Sequence, residues 1–277
     1  MEVLFFLMNL GTISLDLRRV NVEKMKEIID VAVYAGKIMV ESGSEIYRCE
    51  DVIIRIAKHF GIKELDIFTL STCLFVTCNE DGETYTCIKR MKPNDLNLTK
   101  ISKVNQLSRD LVKNNFSLEE FNLFLKEIEV AKDQYSKLYT AIFSAIACAC
   151  IGGTINDGTV VDFLSIVGIS AVNYYLLDFL SRNRVNILAK NIIVSLSITF
   201  LAILVTKLQI VSNIDNIIIG SIILLVPGVM VTNAVRDAIN GDVLSGFIRC
   251  IEAVMVATGM AIGVGVGLFF YINGLAG

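Results

Sequence analysis

Charged and polar side chains concentrate at two places in the sequence where they could act together on a ligand. The first is the segment ESGSEIYRCE at residues 41–50, which holds three Glu, one Tyr and one Arg. Carboxylates beside a guanidinium could bind a ligand or form a catalytic cluster, whereas a solvated, salt-bridged helix start is the commoner meaning of such a pattern. The candidate residues of this segment are Glu41, Gly43, Glu45, Tyr47, Arg48 and Glu50.

The second place is a proline-glycine pair inside an apolar run, followed at once by polar residues. Pro227 lacks a backbone donor and Gly228 loosens the turn, so a helix is expected to bend or break there. Transporters bind substrates and ions with backbone groups freed near the middle of the membrane, although a packing kink without a ligand would give the same pattern. The candidate residues of a substrate or ion path are Pro227, Gly228, Asn233, Arg236, Asp237, Asp242, Arg249, Glu252 and Asp162.

Several of these path candidates are charges within or beside apolar runs. Arg249 and Glu252 are three residues apart and could pair on one helical face. Because burying charges in lipid costs several kcal/mol, they should face protein or water, or else they only anchor helix ends at the interface. For Asp162 and Asp178, near the ends of one apolar run, interfacial anchoring is the favoured interpretation and proton coupling is the alternative.

The sequence argues against several other chemistries. It contains no GxxxxGK[ST], GxSxG or HExxH motif, so nucleotide hydrolysis and the corresponding hydrolase mechanisms are not indicated. The seven Cys lack a CxxC spacing and the chain has one His, so we expect reduced cysteines and neither a metal site nor a cofactor. A net charge of −3 does not indicate nucleic-acid binding.

The distribution of charge divides the chain near Lys137. Residues 1–137 hold 40 of the 53 charged residues, and the remaining 13 are spread through long apolar runs. This division predicts an α+β cytoplasmic domain at residues 1–137, followed at residues 138–277 by an α-helical membrane domain of five transmembrane helices.

Within the first part, apolar periodicity predicts a helix over residues 22–40 and a second one ending near His59. Ser42 and Glu45 have the spacing of a capping box for the second helix, as Ser117 and Glu120 do for a later one. Residues 65–78 are rich in β-forming residues and predict one strand, which would form a hairpin with residues 83–90.

In the second part, apolar runs predict spans at residues 138–156, 160–180, 187–206, 214–234 and 243–272. Basic residues are more frequent on the side shared with Lys137, since the loop at residues 156–159 has none. The positive-inside rule then predicts a multi-pass plasma-membrane protein with its first part cytoplasmic and its C-terminus outside. Gly259, Gly263 and Gly267 recur every four residues and predict close helix packing, within the chain or across subunits.

Five segments of the chain resemble the bacterial threonine/serine exporter family. Residues 41–50 are similar to the family's ESGAETYRVE signature, and residues 105–109 (NQLSR) resemble its next block. The segments VPG at 226–228, TNAVRD at 232–237 and GDVLSG at 241–246 are similar to the family's VPG, TNAIRD and GDLLSG. The resemblance covers about residues 25–272.

This resemblance implies a secondary transporter subunit that exports small amino acids or related carboxylates, driven by an ion gradient. Full-length members carry a second membrane half, so the chain resembles the larger subunit of the split form, one example of which is associated with succinate export. A small four- or five-helix membrane subunit would be the partner, for which the glycine stripe is a candidate docking face, and a homo-oligomer is a further expectation.

Two other functions remain open from the sequence alone. One is a membrane-tethered enzyme with Glu41, Glu45 and Arg48 as its active site, although five spans exceed what an anchor requires. The other is a membrane-embedded sensor or scaffold that binds a ligand without moving it. The charged segment at residues 41–50 also motivates the hypothesis of a cytoplasmic gate or substrate-sensing module.

Overall fold

The fold is described from a computed structural model of the whole chain. It describes residues 2–80, 82–92, 96–131, 135–154, 158–211 and 213–274, with side chains from residue 22 onward. These residues form ten α-helices, one 3-10 turn and three strands. Contacts divide the chain into two compact units, Met1–Lys132 with Asn233–Ile248 and Asp133–Thr232 with Arg249–Gly277.

The first unit is built from four helices and a sheet, with a further contribution from residues 233–248. The helices are α1 (Glu2–Glu41), α2 (Ile46–His59), α3 (Leu98–Asn114) and α4 (Leu118–Val130). The predicted capping box of α4 is confirmed, since Ser117 accepts from the Glu120 backbone N–H and Glu120 accepts from that of Ser117. The capping box predicted for α2 is wrong, because α2 begins after Glu45, whose side chain makes no capping bond.

The sheet is an antiparallel meander in the order β1-β2-β3, formed by Glu64–Thr69, Cys73–Glu80 and Glu83–Arg90. The predicted hairpin of the last two strands is confirmed, with Val76 opposite Cys87. The single strand predicted for residues 65–78 is wrong. A tight turn divides it, in which the Leu70 N–H donates to the Cys73 carbonyl at 2.7 Å, and no Gly or Pro marks this turn in the sequence.

The core of the first unit forms where the apolar faces of its elements meet. Ile29, Ala32 and Met39 of α1 are fully buried, as are Ile53 and Ile56 of α2. Alternate residues of β2, Leu74, Val76 and Cys78, join the same core because successive strand side chains point to opposite faces. One sheet face therefore packs on helices, while the other carries polar side chains together with the exposed Phe68 and Ile88.

The second unit contains α5 (Lys137–Gly153), α6 (Val160–Arg182), α7 (Ile187–Lys207) and α8 (Ile214–Ile222), which continues as a 3-10 turn at Ile223–Leu225. The helices α9 (Gly228–Ile239) and α10 (Val243–Gly274) belong in part to each unit. The core of the second unit is formed by apolar side chains of α5, α6, α7 and α8, including Ala149, Ile166, Ile198 and Ile217.

The predicted α+β domain followed by a five-helix membrane domain is wrong. Among the described residues, three helices are long and apolar enough to cross a membrane: α6, α7 and α10. The segments Ile214–Leu225 and Gly228–Ile239 qualify only together, as a pair bent by 51°, and α5 is a shorter apolar helix. Residues 233–248, predicted as membrane domain, cluster with the first unit instead, because their polar side chains bond to its loops.

The boundary at residues 1–137 and 138–277 stays a prediction about which part of the chain lies in water. The loop at residues 156–159, used in the prediction of orientation, lies partly outside the described residues.

Candidate functional site

The first unit brings the two charged motifs of the sequence together. Asp237, which is fully buried, accepts a hydrogen bond from the backbone N–H of Ile46 at 3.0 Å. Ile46 is the first residue of α2, so a carboxylate 191 positions away occupies the helix N-terminus. A negative charge there is stabilised by the unpaired N–H groups and by the helix dipole.

An ion-pair cluster lies directly beside this helix start. The Arg236 guanidinium pairs with the Glu45 carboxylate, and Arg48 Nε lies 3.3 Å from Glu45 Oε2. The Glu45 side chain is only 9% exposed, whereas that of Arg236 is 51% exposed. One buried carboxylate is thus held between two guanidinium groups, of which Arg236 also faces solvent.

The turn before α2 is held by a third bond to α9. The Asn233 side-chain amide donates to the Gly43 carbonyl at 3.1 Å. Gly43 has a φ of +87°, and a Cβ at this position would come within 2.9 Å of Leu96 Cδ1. The turn therefore requires glycine for its backbone angle and for the space beside it.

The other residues of the 41–50 motif lie around this junction in different settings. Glu41 accepts from the backbone N–H of Lys92 at 3.0 Å and lies 3.7 Å from Lys37 Nζ. Tyr47 is exposed, and its hydroxyl accepts a bond from Arg48. These contacts hold the ends of α1 and α2 but do not bring Glu41 and Tyr47 into the ion-pair cluster.

Glu50 and Asp242 form a second, carboxylate-rich part of the junction. Burial raises the pKa of Glu50, and the negative charge of Asp242 raises it further, while hydrogen bonds with Thr69 oppose the shift. Burial also raises the pKa of Asp242. Ser245 donates to the Thr69 carbonyl at 3.3 Å, so the start of α10 is bonded to the end of β1.

The residues that pair across the junction lie far apart in the sequence, and Glu45 and Arg236 are 191 positions apart. Sequence analysis selected Glu45, Arg236 and Asp237 but placed them in two separate candidate sites. It missed Thr69 and Ser245, since isolated hydroxyl residues carry no motif. We call the assembly of residues 43–50 with Asn233, Arg236, Asp237 and Asp242 the α2–α9 junction.

The second unit contains the interrupted span. After α8, the Val226 N–H donates to the Ile223 carbonyl at 3.2 Å, and α9 begins one residue after Pro227. The predicted break at Pro227 and Gly228 is confirmed by the bend between the two segments. Its role in binding a substrate stays a prediction.

The charged candidates of the second unit do not form one cluster. Arg249 is buried in α10, and its charge acts electrostatically on Glu252. Asp178 pairs with Arg182 at 3.0 Å and also with Lys137. Asp162 is buried at the start of α6, where its Oδ2 accepts from the backbone N–H of Thr159 at 2.9 Å.

The glycine stripe of α10 lies against α7. A Cβ on Gly263 would be 1.9 Å from Ser195 Oγ, and one on Gly267 would be 2.6 Å from Thr199 Cγ2. Gly259 similarly faces Asn191. The stripe therefore packs against α7 of the same chain.

Nothing in the described residues indicates a metal centre, since no three His, Cys, Asp or Glu side chains cluster there. In the junction, the buried carboxylate of Asp237 accepts a backbone hydrogen bond, and that of Glu45 pairs with guanidinium groups. The bent span and its apolar neighbours have the form of a multi-pass membrane protein.

Comparison with known proteins identifies which kind of membrane protein this is. Residues 30–271 match the family model described as "Putative threonine/serine exporter". The chain belongs to the threonine/serine exporter family, and it is a membrane transport protein rather than an enzyme.

Two relatives are similar over nearly their whole length. The chain is 20% identical over 246 residues to a protein of Escherichia coli (strain K12) named "Probable succinate transporter subunit YjjP", covering 87% of this chain and 94% of that protein. It is 22% identical over 246 residues to the Klebsiella aerogenes protein of the same name, covering 87% and 93%. No solved structure matches the chain.

Proposed function

We propose that the chain is one subunit of a secondary transporter that exports threonine, serine or related small carboxylates such as succinate, driven by an ion gradient. The observation that carries this proposal is the span broken at Pro227, with Asn233, Arg236 and Asp237 on the helix that follows it. A broken span exposes backbone groups that can bind a substrate, and a charged helix beside it can recognise a carboxylate.

In this proposal the α2–α9 junction is part of the substrate path. Arg236 pairs with Glu45 through a partly exposed guanidinium, so a substrate carboxylate that reached Arg236 would compete with Glu45 for the same donor. Asp237 and Asn233 hold the start of α2 and the Gly43 turn, so movement of this part of α9 would be transmitted to both. These bonds support the hypothesis of a cytoplasmic gate.

The partner is proposed from the names of the relatives. Both relatives are named as transporter subunits, and the chain covers more than nine-tenths of each. A small membrane subunit of four or five helices would complete the transporter, with the first part of this chain cytoplasmic and its C-terminus outside. Fusions of a reporter that is active only in the cytoplasm, placed after residues 131 and 274, would test this orientation. Activity at the second position would contradict it.

Substrate counterflow in proteoliposomes tests the transport proposal. Arg236→Gln and Asp237→Asn should each lower exchange of labelled threonine, serine or succinate by about tenfold or more, the equivalent of one lost charged contact. Lys113→Gln and Glu119→Gln are matched controls because both side chains are exposed in the first unit and lie outside the junction. Normal exchange by both junction variants, at wild-type protein levels, would reject this site.

A second candidate function is ligand sensing by the first unit. A cavity of about 580 Å³ there is lined by four basic side chains, Lys37, Lys89, Arg90 and Lys126, and by one acidic side chain, Asp30. Its volume suits a small molecule and its charge favours an anion. Calorimetry with succinate would support sensing if binding occurred without counterflow and Lys89→Gln weakened it while Lys113→Gln did not.

A further inference from the structure

The second unit contains buried oxygen atoms that have no hydrogen-bond partner among the described residues. Asp162 Oδ1 on α6 and Asn216 Oδ1 on α8 are two of them, and their residues are 4% and 3% exposed. Buried acceptors without donors are rare in folded proteins, because each costs roughly 1–3 kcal/mol in lost hydration. Such atoms in a transporter indicate a place for a ligand.

The register of three helices indicates that these two side chains lie at the same height along the helix axes. Gly152 of α5 faces both Ile166 of α6 and Gly220 of α8, since a Cβ on Gly152 would be 3.0 Å from Ile166 Cδ1 and 2.5 Å from Gly220 Cα. One turn earlier on α5, Cys148 interacts with Ser170 and with the backbone of Leu224, each one turn later on its own helix.

It follows that α6 and α8 both run antiparallel to α5 and are parallel to each other with a constant offset. Asp162 lies one turn before Ile166, and Asn216 lies one turn before Gly220, so the two are level on facing helices. A Cβ on Gly220 would be only 2.6 Å from Ile166 Cδ1, so the two helices pack tightly one turn further along than the two side chains.

The two unpartnered atoms are both acceptors, which favours a cation over an anion. Asp162 supplies one carboxylate, whose other oxygen already accepts from Thr159. A single carboxylate with a neutral amide matches a monovalent charge, whereas divalent ions are usually held by several carboxylates. A proton on Asp162 would turn its oxygen into a donor, and Na⁺ would accept both oxygens as ligands.

We propose that Asp162 and Asn216 bind the monovalent cation, a proton or Na⁺, that drives transport. The role of this cation in driving transport rests on the proposed function. The binding of the cation does not depend on it. Asn173, whose buried Oδ1 also lacks a partner among the described residues, lies about 16 Å further along α6. The contact of Gly152, Ile166 and Gly220 then separates the cation site from the broken span.

Melting of the purified full-length protein tests the cation site without requiring transport. A ligand that binds the folded state raises the melting temperature in proportion to the logarithm of its concentration. For Na⁺, replacing choline chloride with NaCl should raise the melting temperature of the wild type and of Asp215→Asn, but not that of Asp162→Asn or Asn216→Ala. For a proton, lowering the pH at constant choline chloride should raise the melting temperature of the wild type and of Asp215→Asn by more than that of Asp162→Asn or Asn216→Ala.

Asp215→Asn is the matched control, because Asp215 neighbours Asn216 in sequence but is exposed. The other described charged or titratable side chains at this end of the packed helices are Lys207 on α7, Tyr271 on α10 and, further along α5, Cys150 and Cys148. If salt and pH shift Asp162→Asn and the wild type equally, the site does not bind the cation and the inference is overturned.

Transport separates this inference from the proposed function. Gradient-driven accumulation should fall at least about tenfold in Asp162→Asn and stay within about twofold of the wild type in Asp215→Asn. Accumulation equal to that of the wild type would overturn the coupling role of Asp162. Absence of counterflow in the wild type would overturn the proposed function, and the melting experiment would still decide whether the cation binds.

Discussion

The contacts of Glu45 in the structure differ from the role that the sequence predicts for it. In the sequence it is part of a capping box and of a carboxylate cluster. In the structure its side chain caps no helix and instead lies between Arg48 and Arg236. The capping position of α2 is taken by Asp237, a stronger arrangement because a full negative charge meets the helix N-terminus.

The ion pair of Arg236 with Glu45 should contribute measurably to stability. Arg236→Ala would leave a buried carboxylate with Arg48 alone, so we expect a loss of about 1–2 kcal/mol. The double variant with Glu45→Gln should lose less than the sum of the two single variants. Thermal melting of the four proteins in detergent gives the coupling energy, and strict additivity would contradict the pair.

The carboxylates of Glu50 and Asp242 should make stability depend on pH. Both have a raised pKa, so the folded protein holds protons more tightly than the unfolded chain does, and stability falls as pH rises through the window above the ordinary carboxyl pKa. Glu50→Gln should therefore raise the melting temperature at pH 7, and the difference from the wild type should shrink as the pH is lowered. A constant difference across pH would contradict this.

At the scale of elements, the contact between α7 and α10 depends on the glycine stripe. Gly263→Ala would place a methyl group 1.9 Å from Ser195 Oγ and 2.5 Å from the Ile192 carbonyl, so we expect a loss of roughly 1–3 kcal/mol. Gly265→Ala is the control, because no atom lies within 4 Å of its Cβ position and the helix should gain slightly. Equal melting temperatures for both variants would contradict the packing.

The break between α8 and α9 is expected to be a functional rather than a stabilising feature. Pro227→Ala would restore a backbone donor and favour a continuous helix, so we expect unchanged or higher stability with reduced counterflow. Gly228→Ala, which has open space at its Cβ position, controls for the added methyl group. Full exchange activity in Pro227→Ala would show that the bend is a packing kink.

At the scale of the whole molecule, the division of charge along the chain and the division into compact units do not coincide. The charged half ends near Lys137, but residues 233–248 of the apolar half cluster with the first unit. The polar faces of α9 and early α10 account for this, since Asn233, Asp237 and Ser245 each bond to a loop or an element end of the first unit.

This arrangement predicts that the first unit is incomplete without residues 233–248. A fragment ending at residue 131 should melt at a lower temperature than the same unit in the full chain, because α2 would lose its cap at Asp237 and Glu45 would lose Arg236. Hydrogen exchange at the amide of Ile46 reports the cap directly. Equal protection of that amide in the fragment and in the full chain would contradict the prediction.

The sequence by itself determined the elements whose signals are local. Apolar periodicity located the helices, the Ser117 box marked the start of α4, the hairpin of β2 and β3 followed from alternation, and Pro227 marked a break. The family was also recognisable from short motifs. These features depend on residues a few positions apart, where spacing alone fixes which side chains are neighbours.

Only the tertiary structure decided which distant residues meet. The pairing of Glu45 with Arg236, the cap of α2 by Asp237 and the level of Asp162 with Asn216 join positions from 54 to 191 residues apart. The turn that splits β1 from β2 also lacked a local signal. Burial and long-range register are properties of packed surfaces, and one sequence carries no spacing rule for them.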